Sequence, residues 1–305
     1  MTPSDPSSAA LSAASPSSEA PAEPADLADL ARRGYDATFL GPRVPLPMPR
    51  DPDVPTVVLP YTHFTVVLRP DRRLATATAV CIDGARLLAD VPRGDNWRID
   101  RRVPRGSQAG DEIYADNRLD RGHLVRRLDP VWGGRPEAEQ ANDDTFHFTN
   151  AAPQMDLFNQ GKQLWQGLEN HLLDHAALHD RKLVVLTGPV LHESDPPYRG
   201  IQVPLRFWKV AGFLQGGALA ATAYILDQSP DLSRAPDRAF AGSRPGEPPP
   251  LGAFRTFQVP VEDIADLTGL ELGPLPAADL MPRVRDPDLR WRRLESYDDI
   301  SFGSR

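Results

Sequence analysis

Two runs rich in β-branched and apolar residues, His63 to Arg69 and Leu74 to Ile82, are separated only by the polar turn PDRR. No other feature limits the fold so tightly. Val, Ile and Thr favour a pleated, packed surface, and so short a turn joins neighbouring antiparallel strands rather than a crossover, so the pair reads as a hairpin. PTVVLPY just upstream reads as a further strand, and the runs Lys182 to Leu191, Ile201 to Val210, Ala218 to Leu226 and Phe254 to Val259 share that character. A sheet-rich protein of at least five or six strands is the consequence.

Against these strands stands one long helical pattern, from somewhere after Pro153 to about His179. Leu164, Leu168, Leu172 and Ala176 recur at every fourth position, and Trp165 and Leu173 widen the stripe, so one face of this helix packs on a sheet. A shorter helix is expected over VEDIADLTGL, where acids crowd the start.

The rest of the chain divides by composition. Residues 1 to about 26 are Ser, Ala and Pro with scattered acids, which bury little, and the stretch 1–33 reads as a disordered leader that ends in a short helical segment, PADLADLARR. GPRVPLPMPRDPDVP reads as a proline-stiffened strap. Between Asp227 and Gly252, Pro, Ser, Arg and Gly dominate, and this segment reads as a surface loop inside one domain spanning 34–305. The first thirty residues hold no Lys or Arg and no continuous apolar segment, so a secretory signal peptide is not expected, and no run is apolar enough to span a bilayer. Membrane partners are therefore not expected, while a cytoplasmic location and export by a non-classical route both stay open. Cys81 is the only cysteine, so the chain forms no internal disulfide and no cysteine-based zinc site.

The net charge of -8 argues against a broad basic coat for nucleic acid. A local patch is another matter. From Arg93 to Arg127 there are nine arginines against six acids, and this stretch contains DNRLDRGHLVRRLD. In it Gly122 lets the backbone turn close to a ligand, Arg121 offers a planar donor fork to a phosphate oxygen, and His123 titrates near neutrality as a general base does. A surface turn, an ion pair and a satisfied histidine are the plain alternatives. A second block, TFHFTNAAPQMDLFNQGKQLWQGLE, sets Asn150 and Asn159 around a strand-to-helix transition. An amide oxygen is a hard ligand suited to Mg²⁺, and Asn is equally a helix cap.

DRGH, then TNAAPQ, then FNQG, then WxxLE, in that order, resemble the DNA/RNA nonspecific endonuclease family, the ββα-metal nucleases. The resemblance extends over roughly 34–275 through GYDATFLGPRVPLP, YTHFTVVLRPDRR and FWKV. It implies an α+β fold of the ββα-metal (His-Me finger) type, with a central antiparallel sheet, packed helices and a long metal-site helix. It further implies a Mg²⁺-dependent endonuclease, with Mn²⁺ or another divalent ion as alternatives, that cuts DNA and RNA with little sequence preference and leaves 5′-phosphates. His123 matches the base that activates water, Arg121 the arginine beside the phosphate, Asn159 the direct metal ligand, and Glu169 the acid that supports metal-bound water. Asn150 and Gln154, in the TNxxPQ motif, are expected to shape the site at the substrate, with Asp120, Arg98 and Arg126 as further substrate-facing residues.

One departure concerns the metal helix. Trp165 and Glu169 stand six and ten residues after Asn159, an interval two residues longer than in familiar members. Two extra helical residues rotate every downstream side chain by roughly 200°, so a local bulge is needed if Glu169 is to face the metal. His171, His175 and His179, spaced i, i+4 and i+8, form an alternative transition-metal face or an exposed polar one. Two other functional readings remain: a nucleic-acid-binding module of weak or no activity, and an effector or toxin domain controlled by a partner. The resemblance leaves room for an inhibitor protein and leaves a homodimer undetermined.

Overall fold

The computed structural model describes residues 34–155, 181–229, 255–281, 290–295 and 299. The expected leader, most of the 227–252 loop and the long helix after Pro153, with Asn159, Glu169 and the three spaced histidines, lie outside them.

In chain order the strands are β1 (Met48–Pro49), β2 (Val57–Tyr61), β3 (Phe64–Arg69), β4 (Leu74–Asp83), β5 (Leu119–His123), β6 (Ala151–Met155), β7 (Lys182–Pro189), β8 (Pro197–Tyr198), β9 (Ile201–Gln202), β10 (Arg206–Gln215), β11 (Ala218–Asp227), β12 (Arg255–Val259), β13 (Leu270–Glu271) and β14 (Arg292–Leu294). The described α-helices are α1 (Asp111–Tyr114), α2 (Arg135–Asp144) and α3 (Val261–Thr268). Eight strands form one sheet in the order β14-β12-β11-β10-β7-β4-β3-β2, every neighbour antiparallel. The chain belongs to the α+β class, with this sheet at its centre.

Both faces of the sheet are buried, which is why its strands are almost continuously apolar. Val66, Leu68, Val80, Ile82, Val185, Phe207 and Tyr224 fill one side. Val67, Ala79, Cys81, Leu186, Trp208, Val210 and Ile225 fill the other, where Val261, Ile264 and Ala265 of α3 cover them. Pairing of α3 with that face is set by its apolar spacing, and the helix ends where Gly269 takes φ of 66°, a left-handed conformation that costs glycine little.

The hairpin read from the sequence is β3–β4. The single strand expected over Ile201 to Val210 is two strands, because Pro204 has no amide hydrogen to give to a ladder and β10 begins only at Arg206. The helix α2 is not expected from the sequence. It is polar along nearly its whole length, with only Ala138, Ala141, Asn142 and Asp144 buried, so it shows no apolar stripe. Tertiary bonds hold it instead: His63 Nε2 lies 3.0 Å from Glu137 in its first turn, and Thr62 donates its amide and hydroxyl to Asp144 at its last. Both come from the two-residue turn of the β2–β3 hairpin, where His63 has φ of 66°.

The strands β5 and β6 form a separate antiparallel ribbon laid on the β3–β4 side of the sheet, anchored by Leu119, Leu124, Val125, Ala151 and Ala152. This ribbon carries DRGH.

Candidate active site

Alternation along β5 sends Arg121 and His123 to one face of the ribbon and Asp120 and Gly122 to the other. Gly122 is needed there for a steric reason. A Cβ on it would sit 2.2 Å from Cδ of Gln154, whose side chain crosses the ribbon at that point. Downstream of His123 the chain is clamped by Asn150: its carbonyl accepts the Leu124 amide at 2.9 Å, its Oδ1 accepts the Val125 amide at 2.9 Å, and its Nδ2 donates to the carbonyls of Val125 and Thr145, each at 3.0 Å. The orientation of His123 is thus fixed by backbone pairing on one side and by a buried amide on the other.

The imidazole stands against two aromatic rings, Trp97 at 4.7 Å and Phe146 at 5.1 Å between centroids. Nε2 is shut off from solvent and has no hydrogen-bond partner among the described residues. Burial, with the positive charges of Arg93 and Arg127 added, pushes the His123 pKa down to about 3. The ring is therefore neutral across the physiological range, with a nitrogen lone pair unspent. Arg127 is itself anchored, donating to the Val91 carbonyl at 3.2 Å and to Asn142 Oδ1 at 3.0 Å.

Arg121 lies with its Cζ 5.7 Å from the centroid of the Trp97 ring and pairs at 3.2 Å with Asp111, which is largely exposed. An exposed pair of this kind is weak and yields readily to a phosphate. Arg98 is half-buried. Its Nε donates to His147 Nε2 at 3.1 Å and its NH2 approaches the fully buried Asp144 at 3.7 Å, so its ion partner is Asp144 and not the nearby Asp100. His147 Nδ1 faces the Asp144 carbonyl at 2.9 Å, which puts the ring proton there and leaves Nε2 to accept from Arg98. Burial first, then the Arg98 charge, press the His147 pKa down to about 4.

Beneath Arg98, Asp100 takes a fork from Arg102 and a hydrogen bond from the Tyr61 hydroxyl, which also meets Thr149 Oγ1 at 2.6 Å. Burial alone would raise this carboxyl, but the bonds from Arg102 and Tyr61 prevail and hold it at about 2. This network ties residues 97–102 to the β2–β3 hairpin and to the turn before β6.

Of the nine residues singled out from sequence, the structure brings His123 and Arg121 together against the Trp97 ring, with Arg98 on the adjoining segment. Three placements bear on the roles expected of these residues at the substrate. Asn150 is 0% exposed and spends its amide on backbone, so it positions the cleft without reaching a ligand. Gln154 and Asp120 are opposite each other in the ribbon register, on the face turned away from His123. Arg126 is half-buried just past the Asn150 clamp. Trp97, Phe146 and Arg93 are not legible as site residues in the sequence, because no periodicity or motif marks an aromatic or an arginine that meets the imidazole only through space.

Among the described residues no group of three or more His, Cys, Asp or Glu could hold a metal ion. The described wall, built of Arg93, Arg121, Arg127, Trp97 and Phe146, is cationic and aromatic. It supplies no oxygen ligands to a cation; the metal ligand expected from the resemblance, Asn159, and the acid expected to support metal-bound water, Glu169, lie in the 156–180 segment outside the described residues. No described helix is long and apolar enough to cross a membrane.

The sequence profile of the DNA/RNA non-specific endonucleases matches residues 51–279. The chain belongs to that family. Among curated proteins it is similar to an uncharacterized protein, y4fB, of Sinorhizobium fredii, 41% identical over 265 residues that cover 78% of this chain and 38% of the relative. It is also similar to mitochondrial endonuclease G of Homo sapiens, 28% identical over 203 residues, 62% of this chain and 60% of that protein. A nuclease of Nostoc is 25% identical over 185 residues, 60% of this chain and 61% of that one. The chain thus spans less than two thirds of the length of each of these relatives. Among solved structures, one described as the EndoG/EndoGI complex and the mechanism of EndoG inhibition superposes with a TM-score of 0.50 at 19% identity, covering 70% of this chain and 84% of that one. That likeness concerns the fold. The family carries the ββα-metal architecture expected from the motifs, and the antiparallel sheet with its packed helices agrees with it.

Proposed function

We propose that this member of the non-specific endonuclease family is a divalent-metal-dependent enzyme that hydrolyses phosphodiester bonds of DNA and RNA, leaving 5′-phosphate ends. The observation that carries the reading is the state of His123: neutral, walled by rings, with Nε2 unpartnered among the described residues and Arg121 two positions away on the same strand face.

In this reading the neutral His123 ring accepts, at the nitrogen that does not carry its hydrogen, the proton of the water that attacks phosphorus. Arg121 leaves Asp111 and donates its fork to a non-bridging phosphate oxygen, while Arg93 and Arg127 hold a positive field over the same place. Trp97 and Phe146 exclude bulk water from the rear of the imidazole. A Mg²⁺ or Mn²⁺ ion, with Asn159 as ligand and Glu169 in support, would supply Lewis-acid stabilisation of charge at the phosphorus and the leaving oxygen. These groups address the backbone and no base edge, so sequence preference is weak.

The test is cleavage of plasmid DNA and single-stranded RNA by the purified chain with Mg²⁺, with Mn²⁺ and with EDTA. Cutting of both substrates that EDTA stops is the expected result. Undiminished cutting in EDTA would remove the metal from the proposal, and no cutting in either ion would remove the hydrolase.

A further inference from the structure

No motif assigns Trp97 a role, yet its position is unusual. The residue after it is pinned at both backbone groups: the Arg98 amide donates to the Phe146 carbonyl and the Phe148 amide to the Arg98 carbonyl, both at 3.0 Å. The indole is thereby held among Phe146 at 5.4 Å, Phe148 at 5.7 Å and His123 at 4.7 Å, with the Arg121 guanidinium above its ring. Arg121 and His123 are two residues apart on one strand, so their side chains share a face and their Cα atoms stand roughly 7 Å apart. One indole is wide enough to touch both. The guanidinium is otherwise held by the exposed Asp111, while the imidazole also meets the Phe146 ring edge to face and its Nε2 has no hydrogen-bond partner among the described residues, so Trp97 is the ring that meets both.

We propose, building on the hydrolase reading above, that Trp97 is the positioning residue of the cleft, a single aromatic wall that seats the Arg121 guanidinium on its face and screens the His123 imidazole from water. The two functions are separable in chemistry. Screening needs only apolar bulk, whereas seating a cation needs the negative face of a π-system. Asp111 and the indole both hold the guanidinium, and the exposed Asp111 pair is the one that yields to an incoming phosphate. The buried polar network below, Asp100 with Arg102 and Tyr61, fixes the segment that delivers the indole.

Three substitutions in the full chain, Trp97→Ala, Trp97→Phe and Trp97→Leu, test this by two readouts: the NMR titration of the His123 ring protons, and kcat and KM for DNA cleavage as a function of pH. In Trp97→Ala the imidazole titration moves up from about 3 toward the ordinary imidazole range, the acid limb of the rate profile moves with it, and kcat falls roughly 100-fold with a smaller change in KM. Trp97→Phe restores most of both. Trp97→Leu keeps the low titration but not the rate, because it screens without seating the arginine.

An imidazole that titrates in folded Trp97→Ala where it does in the parent chain overturns the screening role. Equal rates in Trp97→Leu and Trp97→Phe overturn the seat, and these two variants decide the matter even if Trp97→Ala does not fold. If the parent chain cuts neither nucleic acid in either metal ion, the hydrolase reading fails by itself, and the ring titrations still decide whether Trp97 screens His123.

Discussion

Two histidines among the described residues lie against tryptophan, and they are used in opposite ways. His63 stacks face to face on Trp132, with centroids 3.5 Å apart and planes 8° from parallel, and both its ring nitrogens are engaged, Nδ1 at 2.7 Å from the Pro130 carbonyl and Nε2 at 3.0 Å from Glu137. His123 meets Trp97 at a tilt of 53° and keeps Nε2 unpartnered among the described residues. The first corner spends every polar group on joining the β2–β3 hairpin to α2 and to the chain downstream of DRGH. The second withholds one. A buried nitrogen without a partner costs about 1–3 kcal/mol, a penalty a fold carries where the lone pair has other work.

The largest effect should come from removing the unspent nitrogen. His123→Ala is expected to lower kcat by about 10²–10⁴-fold while binding of DNA and the melting temperature stay near the parent values, measured by plasmid cleavage, gel shift and thermal unfolding. Full activity in that variant would erase the distinction between the corners. The converse substitution, His63→Ala, should cost about 2 kcal/mol in urea unfolding, because the Pro130 carbonyl and Glu137 lose their partner and Trp132 its stacked ring. Its folded fraction should cut at close to the parent rate; a fall as deep as that of His123→Ala would show that the stacked corner serves the chemistry directly.

Acid sharpens the contrast further. The folded state prefers His123 neutral, with its pKa at about 3 against an ordinary value of 6.5, so its contribution to stability is complete above the ordinary value and is lost as pH falls toward 3. The unfolded chain takes up that proton first. In this window His123→Ala should flatten the decline of unfolding free energy by about 1.4 kcal/mol per pH unit, the linkage slope for one proton, read from urea titrations between about pH 6 and about pH 4. An unchanged slope would mean that the imidazole is not held neutral. The smallest effect is expected at Gly122→Ala, where the new methyl pushes against Gln154; that amide ends a flexible side chain that can swing aside, so a loss of about 1 kcal/mol in thermal unfolding is expected, with a modest fall in rate. No loss at all would show that Gln154 does not need its place across the ribbon.

Much of the scaffold is readable along the chain. The β3–β4 hairpin, β7, β11, β12 and α3 are all set by runs of β-branched residues, short turns and apolar spacing, which act over a few residues. The helix α2 is not readable in this way, because its stability comes from His63 and Thr62, more than seventy residues away. At the site, DRGH draws attention to Arg121 and His123, whereas the partner of Arg98 is set by Asp144 and His147 through contacts between distant segments. Asn150 has the chemistry of a group available to substrate, and only its burial makes it a clamp.

By itself, the sequence determined which residue types this protein can bring to a phosphate, and the order of the strands and turns that carry them, since side-chain chemistry and short-range backbone preference are properties of neighbours in the chain. Only the tertiary structure decided what state those residues are in. His123 is neutral because Trp97, Phe146 and Arg93 converge on it from other segments and add to Arg127 of its own, and desolvation and charge act through distance in space, which no spacing in the sequence records.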